Sequence, residues 1–166
     1  MNKFGKVIKS ENSVEQRFKI TDAVWTDEGW AVEGSLNLSN LNLVELPLIK
    51  SVGGDFYCSN NQLILFEGCP QEVGRNFWCN NNQLISLEGV PKEINGDFIC
   101  SKNQFASLKG APNKIRGYFY CGHNQLTSLE GCPQEVGEYF YCRFSLGNFT
   151  EEDVRAICEV GGSVII

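Results

Sequence analysis

Cysteine is the residue type in this sequence whose spacing most suggests a chemical site. The chain of 166 residues holds eight cysteines, and five of them, Cys58, Cys79, Cys100, Cys121 and Cys142, are each 21 residues apart. A zinc site would bring its cysteines together as close Cys-x-x-Cys pairs, and disulfide geometry is hard to satisfy between neighbouring strands of a parallel sheet. The even spacing therefore predicts five reduced thiols packed in a core, with no metal or cofactor site.

Two further cysteines, Cys69 and Cys132, lie on a different part of the same period. That part is expected to form the outer side of the fold, so both thiols are predicted to be more exposed than the other five. No charged residues recur beside them to activate a thiolate. Cys69 and Cys132 are therefore candidate reactive thiols, and the sequence predicts no further role for them.

Histidine and the recurring glutamates offer little catalytic chemistry. His123 is the single histidine, so a site built from several histidines is not available. Recurring carboxylates are typical of glycosidases, but here they follow the period of the scaffold, and Lys109 replaces one of them. These carboxylates are Glu67, Glu88, Glu130, Glu72, Glu93 and Glu135. We therefore predict a solvated surface, no catalytic residues and no enzyme.

Tandem units of 21 residues account for the cysteine spacing. They read DFYCSNNQLILFEGCPQEVGR, NFWCNNNQLISLEGVPKEING, DFICSKNQFASLKGAPNKIRG and YFYCGHNQLTSLEGCPQEVGE, with a truncated copy YFYCRFSL after them and a degenerate copy SLNLSNLNLVELP before them. A single unit cannot bury its apolar side, whereas a stack of units can. The period therefore predicts a solenoid.

The unit follows the pattern L-x-L-x-x-N-x-L-x-x-L, with Phe and Cys in the first two apolar positions. This pattern resembles the leucine-rich repeat family over residues 35–145, and the N-N-Q-L-x-x-L-x-G-x-P core is similar to that of short leucine-rich repeat proteins of bacteria and large tailed bacteriophages. The resemblance implies a protein-binding scaffold, although a fold alone does not determine function.

The residue types within each unit predict how one turn is built. Phe and Cys two residues apart point to the same side of a strand, so parallel strands would stack them as inward ladders. An Asn at the end of each strand can pair buried backbone groups, because its amide carries donors and an acceptor. These asparagines are Asn61, Asn82, Asn103 and Asn124. The result is a leucine-rich-repeat solenoid with a parallel sheet of about six strands on its concave side.

Glycine and proline mark the other side of each turn. A glycine two residues before a proline predicts an extended or single-turn helical path on the convex side, after which an apolar residue returns to the core. The glycines are Gly68, Gly89, Gly110 and Gly131, and the returning residues are Val73, Ile94, Ile115 and Val136.

The segments at the two ends are predicted to cap the solenoid. Residues 1–34 form an N-terminal cap, in which AVWTDEGWAV reads as a hairpin with a four-residue turn ending in Gly29. Residues 35–145 hold the repeats. Residues 146–166 form a C-terminal cap with a helix from about 150 to 159, where Thr150 and Asp153 resemble a capping box, and a final strand SVII. The three segments are predicted to make one structural domain.

The outward strand positions carry large side chains. Aromatic neighbours on one face stabilise a sheet, but Tyr and Trp are also typical of binding hot spots, and here they would face the concave side. The predicted partner-binding residues are Tyr57, Trp78, Ile99, Tyr118, Tyr120, Tyr139, Tyr141 and Arg143.

These features predict a non-enzymatic protein-binding module, in keeping with a phage- or bacterium-encoded modulator of a host protein. The alternatives are a carbohydrate-binding module and a ubiquitin-ligase-like effector lacking its catalytic domain. The net charge of −6 argues against a nucleic-acid partner. The sequence has no long apolar run and no apolar signal segment, so we expect no membrane partner and a cytoplasmic protein, or one in the host cytoplasm if phage-encoded, present as a monomer or weak dimer.

Overall fold

The computed structural model describes residues 23–166 of the chain. They form a parallel β-solenoid, in which each turn of about 21 residues pairs one short strand with its equivalent in the turn before. Phe77 pairs with Phe56 on one side and with Phe98 on the other. The solenoid and its period are thus as the repeat predicts.

Most elements are only two residues long, because each turn changes direction several times. In chain order they are β1 (Ala23–Thr26), β2 (Gly29–Val32), β3 (Leu36–Asn37), β4 (Ile49–Val52), β5 (Phe56–Tyr57), β6 (Glu72–Val73), β7 (Phe77–Trp78), β8 (Glu93–Ile94), β9 (Phe98–Ile99), β10 (Lys114–Ile115), β11 (Phe119–Tyr120), β12 (Glu135–Val136), β13 (Phe140–Tyr141), α1 (Glu151–Arg155), β14 (Glu159–Val160) and β15 (Val164–Ile165).

The predicted parallel sheet is present with seven strands rather than about six. This sheet, called sheet 1, has the order β15-β13-β11-β9-β7-β5-β3. The additional strand arises because β15, beyond the repeats, pairs in parallel with β13 and continues the ladder.

A second strand in each turn was not predicted. These strands form sheet 2, which is divided into the group β1-β2-β4-β6 and the group β14-β12-β10-β8. The residues expected to return to the core are buried there, and the glutamate or lysine before each of them points outward. Stacking brings these short extended segments into register, so pairing follows although no single segment is long enough to predict a strand.

The core consists of the ladders that the sequence predicts. All five repeat phenylalanines are fully buried, and neighbouring ring centroids lie 5.1–5.7 Å apart. Four of the five ladder cysteines are fully buried beside them, and Cys142 is nearly so. All eight cysteines are free thiols, which matches the predicted packing role.

The asparagine ladder pairs backbone groups across turns. The Asn61 amide nitrogen donates to the carbonyl oxygens of Leu38 and Cys58 at 2.8 and 3.0 Å, and its Oδ1 accepts from the Leu43 N–H at 3.0 Å. The asparagines of the following turns make equivalent bonds. Each amide therefore joins two successive turns, as predicted.

The outer side of each turn is extended and contains tight turns. The sequence allows either an extended path or a single helical turn there, but within residues 23–166 the only helix is α1. Gly110 shows the reason: its φ is +86°, and a Cβ at this position would collide with the backbone of Glu88 in the previous turn. The turns pack too closely for a helix to fit.

Both end segments have ordered structure where the structure describes them. The predicted hairpin exists, but its turn is only two residues long, because Thr26 pairs with Gly29 beyond the pair of Trp25 and Trp30. The ring centroids of the two tryptophans lie 5.2 Å apart. The hairpin continues sheet 2 through the pairing of β2 with β4. Residues 1–22 of the predicted N-terminal cap lie outside the described residues.

At the other end, α1 begins with the predicted capping box, in which the Asp153 N–H donates to the Thr150 hydroxyl and the Thr150 N–H donates back to the Asp153 carboxylate. The helix ends at Arg155, earlier than the predicted residue 159, because Glu159 and Val160 join sheet 2. No helix among the described residues is long and apolar enough to cross a membrane.

Candidate functional site

The predicted site residues lie on the outer face of sheet 1. Five of them occupy equivalent positions and pair in register along the solenoid: Tyr57, Trp78, Ile99, Tyr120 and Tyr141. All five are half-buried rather than fully exposed, because each side chain packs on those of the adjacent strands. This column is a continuous surface and not a row of isolated side chains.

The column divides into two aromatic groups. Tyr57 and Trp78 form a perpendicular pair with ring centroids 5.1 Å apart, and Ile99 separates them from the tyrosines that follow. Those tyrosines are Tyr118, Tyr120, Tyr139 and Tyr141, called the tyrosine cluster below.

The tyrosine cluster is held in place by ring-to-ring contacts. Tyr118 and Tyr139 stack at 5.2 Å with planes only 9° apart, and Tyr120 lies 5.4 Å from Tyr141. Tyr139 is 41% exposed. Such contacts contribute about 0.5–1.5 kcal/mol each beyond simple burial, so the cluster presents aromatic surface in a fixed arrangement.

Gly122 explains how the ring of Tyr141 is placed. Equivalent positions in other turns hold Ser59, Asn80 and Ser101, whereas a Cβ at Gly122 would lie 2.8 Å from Cε1 of Tyr141. Because glycine leaves this space open, the tyrosine ring lies directly on the backbone of the previous turn.

The polar residues beside the column are already used by the fold. The Oδ1 atom of Asp55 accepts from the Asn76 N–H at 3.1 Å, that of Asn76 accepts from the Asp97 N–H at 2.7 Å, and that of Asp97 accepts from the Tyr118 N–H at 2.9 Å. Tyr118 ends this ladder because its side chain replaces the acceptor with an aromatic ring.

Two of the phenol groups have raised pKa values. The neighbouring Glu138 carboxylate raises the pKa of Tyr118, first through hydrogen bonding and then through its charge. Burial, followed by the charge of Asp55, raises the pKa of Tyr57. Both hydroxyls therefore stay protonated at neutral pH.

Trp78 carries the one buried side-chain polar atom without a partner among the described residues, its indole Nε1. An unpaired buried donor costs about 1–3 kcal/mol. The sequence led us to expect an indole facing water, but the structure covers its N–H. Packing against Tyr57 holds the ring in this position.

The last predicted site residue, Arg143, is exposed at the end of strand β13. Its Nε donates to the carbonyl oxygen of Ile166 at 3.3 Å. The next residue, Phe144, was not predicted as a site residue although it is 65% exposed. Its ring stacks on His123 at a centroid distance of 4.3 Å. The signal in the sequence was a phenylalanine at a position where other turns carry Asn60 and Asn81.

A second set of exposed apolar side chains was also missed. These residues lie on the opposite leg of the first turns and are Val44, Ile64, Leu65 and Ile85. For Val44, Ile64 and Ile85 the sequence signal was a β-branched residue directly after a core leucine. This strip contains no aromatic residue, and the equivalent positions in later turns hold Ala106 and Thr127.

A groove of about 670 Å³ is lined by residues of both groups of sheet 2, which is interrupted between β6 and β8. Val52, Val73, Lys92 and Glu93 are among its lining residues. None of the predicted site residues lines it. No group of three or more His, Cys, Asp or Glu side chains in residues 23–166 is arranged to hold a metal ion.

The two cysteines expected to be exposed differ from each other. Cys69 is buried, and burial raises the pKa of its thiol, so the exposure predicted for it is wrong. Cys132 is half-buried, and interaction with the neighbouring Cys158 thiol raises the pKa of Cys132 and lowers the pKa of Cys158. The positive charge of Arg155 adds to the latter shift.

Thiol labelling should therefore be confined to one end of the protein. In the folded protein, iodoacetamide followed by peptide mass mapping should modify Cys132 first, because it is the one cysteine of residues 23–166 that is not buried. The ladder cysteines should react only after unfolding in urea, which serves as the control. Labelling of Cys69 as fast as that of Cys132 would contradict this packing.

Comparisons with protein-family models, with curated proteins and with solved structures found no match to this chain.

Proposed function

We propose that the protein is a non-enzymatic binding module that holds another protein against the outer face of sheet 1. The tyrosine cluster carries this proposal, because four large side chains are fixed by ring contacts and yet stay accessible. Tyrosine is among the residue types that most often dominate interface energies. A site fixed before binding also loses less conformational entropy when its partner arrives.

The indole of Trp78 supports the same face. A buried N–H without an acceptor lowers stability, and phenylalanine at this position would keep the ring without that cost. An aromatic residue retained at a cost in stability is consistent with a role outside folding. Tyr57 and Ile99 complete the face, and Arg143 lies at its end.

A carbohydrate-binding module is the second candidate, favoured by the parallel stacking of Tyr118 and Tyr139. Sugars also need polar groups beside the aromatic platform. Here one oxygen each of Asp55, Asn76 and Asp97 already accepts a backbone N–H. This use of the polar atoms favours a protein partner.

The finer predictions from the sequence belong to this proposal. They are membership of the leucine-rich repeat family, capping roles for the two end segments, a concave shape for the binding face and an origin in a phage or bacterium. A modulator of a host protein, working in the cytoplasm as a monomer or weak dimer, is the biological role that combines them. A ubiquitin-ligase-like effector lacking its catalytic domain is a less favoured reading, because it shares only the repeats with this chain.

Affinity capture with two matched variants tests the proposal. The double variant Tyr139→Ala, Tyr141→Ala removes aromatic surface from the cluster, whereas Ile64→Ala, Ile85→Ala removes exposed apolar surface from the opposite leg. Captured proteins are quantified by mass spectrometry from the native host. We expect the tyrosine variant to retain a partner about tenfold less than wild type, a loss of about 1.4 kcal/mol, and the isoleucine variant to retain it fully.

Thermal unfolding of both variants must show that they remain folded. Equal capture by the tyrosine variant, or loss of the partner in the isoleucine variant, would show that the binding surface is not the outer face of sheet 1. Binding of the wild type to a glycan array, with no protein captured, would favour the carbohydrate alternative.

A further inference from the structure

We infer that the partner of the tyrosine cluster is an acidic protein segment, and that Lys102, His123, Arg143 and Phe144 form the second half of its site. These four residues, called the strand-end group below, lie where strands β9, β11 and β13 end. The inference rests on the proposed function, because it names the chemistry of the partner bound at that face.

The backbone of the strand-end group is the first observation. One residue in each turn has a left-handed conformation at the end of its sheet 1 strand, and its φ lies between 54° and 61°. Asparagine adopts this conformation more easily than most residues, whereas bulky side chains are disfavoured there. In chain order the residues are Asn40, Asn60, Asn81, Lys102, His123 and Phe144.

The identity of these residues changes beside the tyrosine cluster. The first three turns use asparagine, and the next three use lysine, histidine and phenylalanine. Histidine is tolerated in this conformation, but lysine and phenylalanine add a backbone cost that asparagine would avoid. Backbone strain of this kind is characteristic of functional sites.

The exposure of the same side chains is the second observation. Phe144 is 65% exposed and is held against His123, itself exposed, by ring stacking at 4.3 Å. A phenylalanine that has both unfavourable backbone geometry and exposure to water contributes little to folding. It adds exposed aromatic surface three residues after Tyr141, beyond the end of strand β13.

Charge is the third observation. Four cations of the described residues form ion pairs with carboxylates: Lys50, Lys109, Lys114 and Arg155. Lys102 and Arg143 form no ion pair with a side-chain carboxylate in residues 23–166, and neither do Arg75, Lys92 and Arg116. Of these five cations, Lys102 and Arg143 are the two that follow a sheet 1 strand, and the Arg143 Nε donates only to the carbonyl oxygen of Ile166. Two cations without a carboxylate partner there, beside an exposed aromatic surface, complement a carboxylate with an apolar neighbour.

The acidic group of the tyrosine cluster lies on its other side. Glu138 comes two residues before Phe140, whereas Arg143 comes three residues after it. The charge therefore changes sign from one end of strand β13 to the other. An acidic side chain of the partner is placed at the Arg143 end, away from Glu138.

A protein segment fits this group better than a free phosphate does. Phosphate sites commonly rely on backbone N–H groups, and here the N–H groups of Lys102 and His123 already donate to Gly122 and Arg143. The remaining surface is four tyrosines and a phenylalanine, which an inorganic anion cannot cover.

Selection from a phage-displayed library of random peptides of about 12 residues tests the inference. The matched variant is Lys102→Asn, His123→Asn, Arg143→Ser, Phe144→Asn, in which every replacement is the residue found at the equivalent position of another turn. Because asparagine suits the left-handed backbone, this variant should be as stable as wild type or melt about 2–4 °C higher.

Wild type is expected to enrich peptides that combine Asp or Glu with an aromatic or branched apolar residue. In fluorescence anisotropy, the selected peptides should bind the strand-end variant at least tenfold more weakly, and replacing their acidic residues by amides should have the same effect. Addition of inorganic phosphate at the same ionic strength as a chloride control should leave binding unchanged.

Several results would overturn the inference. They are enrichment of basic peptides, no enrichment, competition by phosphate, or equal binding by the strand-end variant. The Tyr139→Ala, Tyr141→Ala variant distinguishes failure of this inference from failure of the proposed function. If the selected peptides are neutral and their binding needs the tyrosines but not the strand-end group, the inference of an acidic partner fails, whereas the proposed protein-binding function stands.

Discussion

Phe98→Ala should lower the free energy of unfolding by about 3–5 kcal/mol, the range for truncating a large buried aromatic side chain. Phe98 is fully buried in the middle of the phenylalanine ladder, with ring centroids 5.4 Å from Phe77 and 5.7 Å from Phe119. A cavity at this rung removes contacts from two turns at once. Because a solenoid is held together by contacts between neighbouring turns, the loss is expected to weaken both halves. Urea unfolding followed by circular dichroism measures it.

The adjacent residue provides a matched control. Ile99→Ala truncates a half-buried side chain on the outer face of the same strand, and its expected cost is about 1 kcal/mol. Equal destabilisation by the two variants would show that the ladder does not form the core.

Asn103→Ala should destabilise the protein by about 3 kcal/mol or more, although it removes only a small polar group. The buried Asn103 amide donates to the carbonyl oxygens of Cys79 and Cys100 at 3.1 and 3.0 Å, and its Oδ1 accepts from the Leu84 N–H at 3.1 Å. Its removal leaves three backbone groups without this partner in the interior, and each unpaired group costs about 1–3 kcal/mol. The same urea unfolding experiment gives the value.

Asn95→Ala is the control for this prediction. Asn95 is exposed between sheets 2 and 1, and its removal should change stability by no more than about 0.5 kcal/mol. A cost for Asn103→Ala as small as that for Asn95→Ala would mean that water replaces the ladder bonds.

Much of the core could be predicted because the repeat is regular. A constant spacing places Phe56, Phe77 and Phe98 at equivalent positions, so the alternation of a single strand is enough to assign the inward and outward faces. The buried asparagines follow from the need to pair backbone groups at each turn. The Thr150 capping box could be predicted for a similar reason, since it depends on residues only three apart.

Sheet 2 could not be predicted from its segments. Glu72–Val73 and Glu93–Ile94 are each two residues long, which is too short for a periodic signal. They become strands only because equivalent segments meet in neighbouring turns. The burial of Cys69 has the same origin, since the path of the outer leg depends on how closely successive turns stack.

Part of the candidate site could be predicted from the sequence, and part of it could not. The outward positions of Tyr120 and Tyr141 follow from strand alternation, whereas their half-burial depends on contacts between strands. The space above Gly122 and the covered N–H of Trp78 also arise only when turns are stacked. The exposed Phe144 was missed because the residue type at its position changes from asparagine in the early turns to lysine, histidine and phenylalanine, so the sequence does not reveal the left-handed backbone that these positions share.

The sequence by itself determined the 21-residue turn, the two inward ladders, the asparagine pairing and the column of outward aromatic residues, because each depends on local chemistry repeated at a constant interval. Only the tertiary structure decided that a second sheet forms, that the aromatic column divides at Ile99 into two groups, and that Lys102, His123 and Phe144 share a left-handed backbone beside the tyrosines. These features depend on distances between residues of different turns, and such distances are set by the packing of the whole stack.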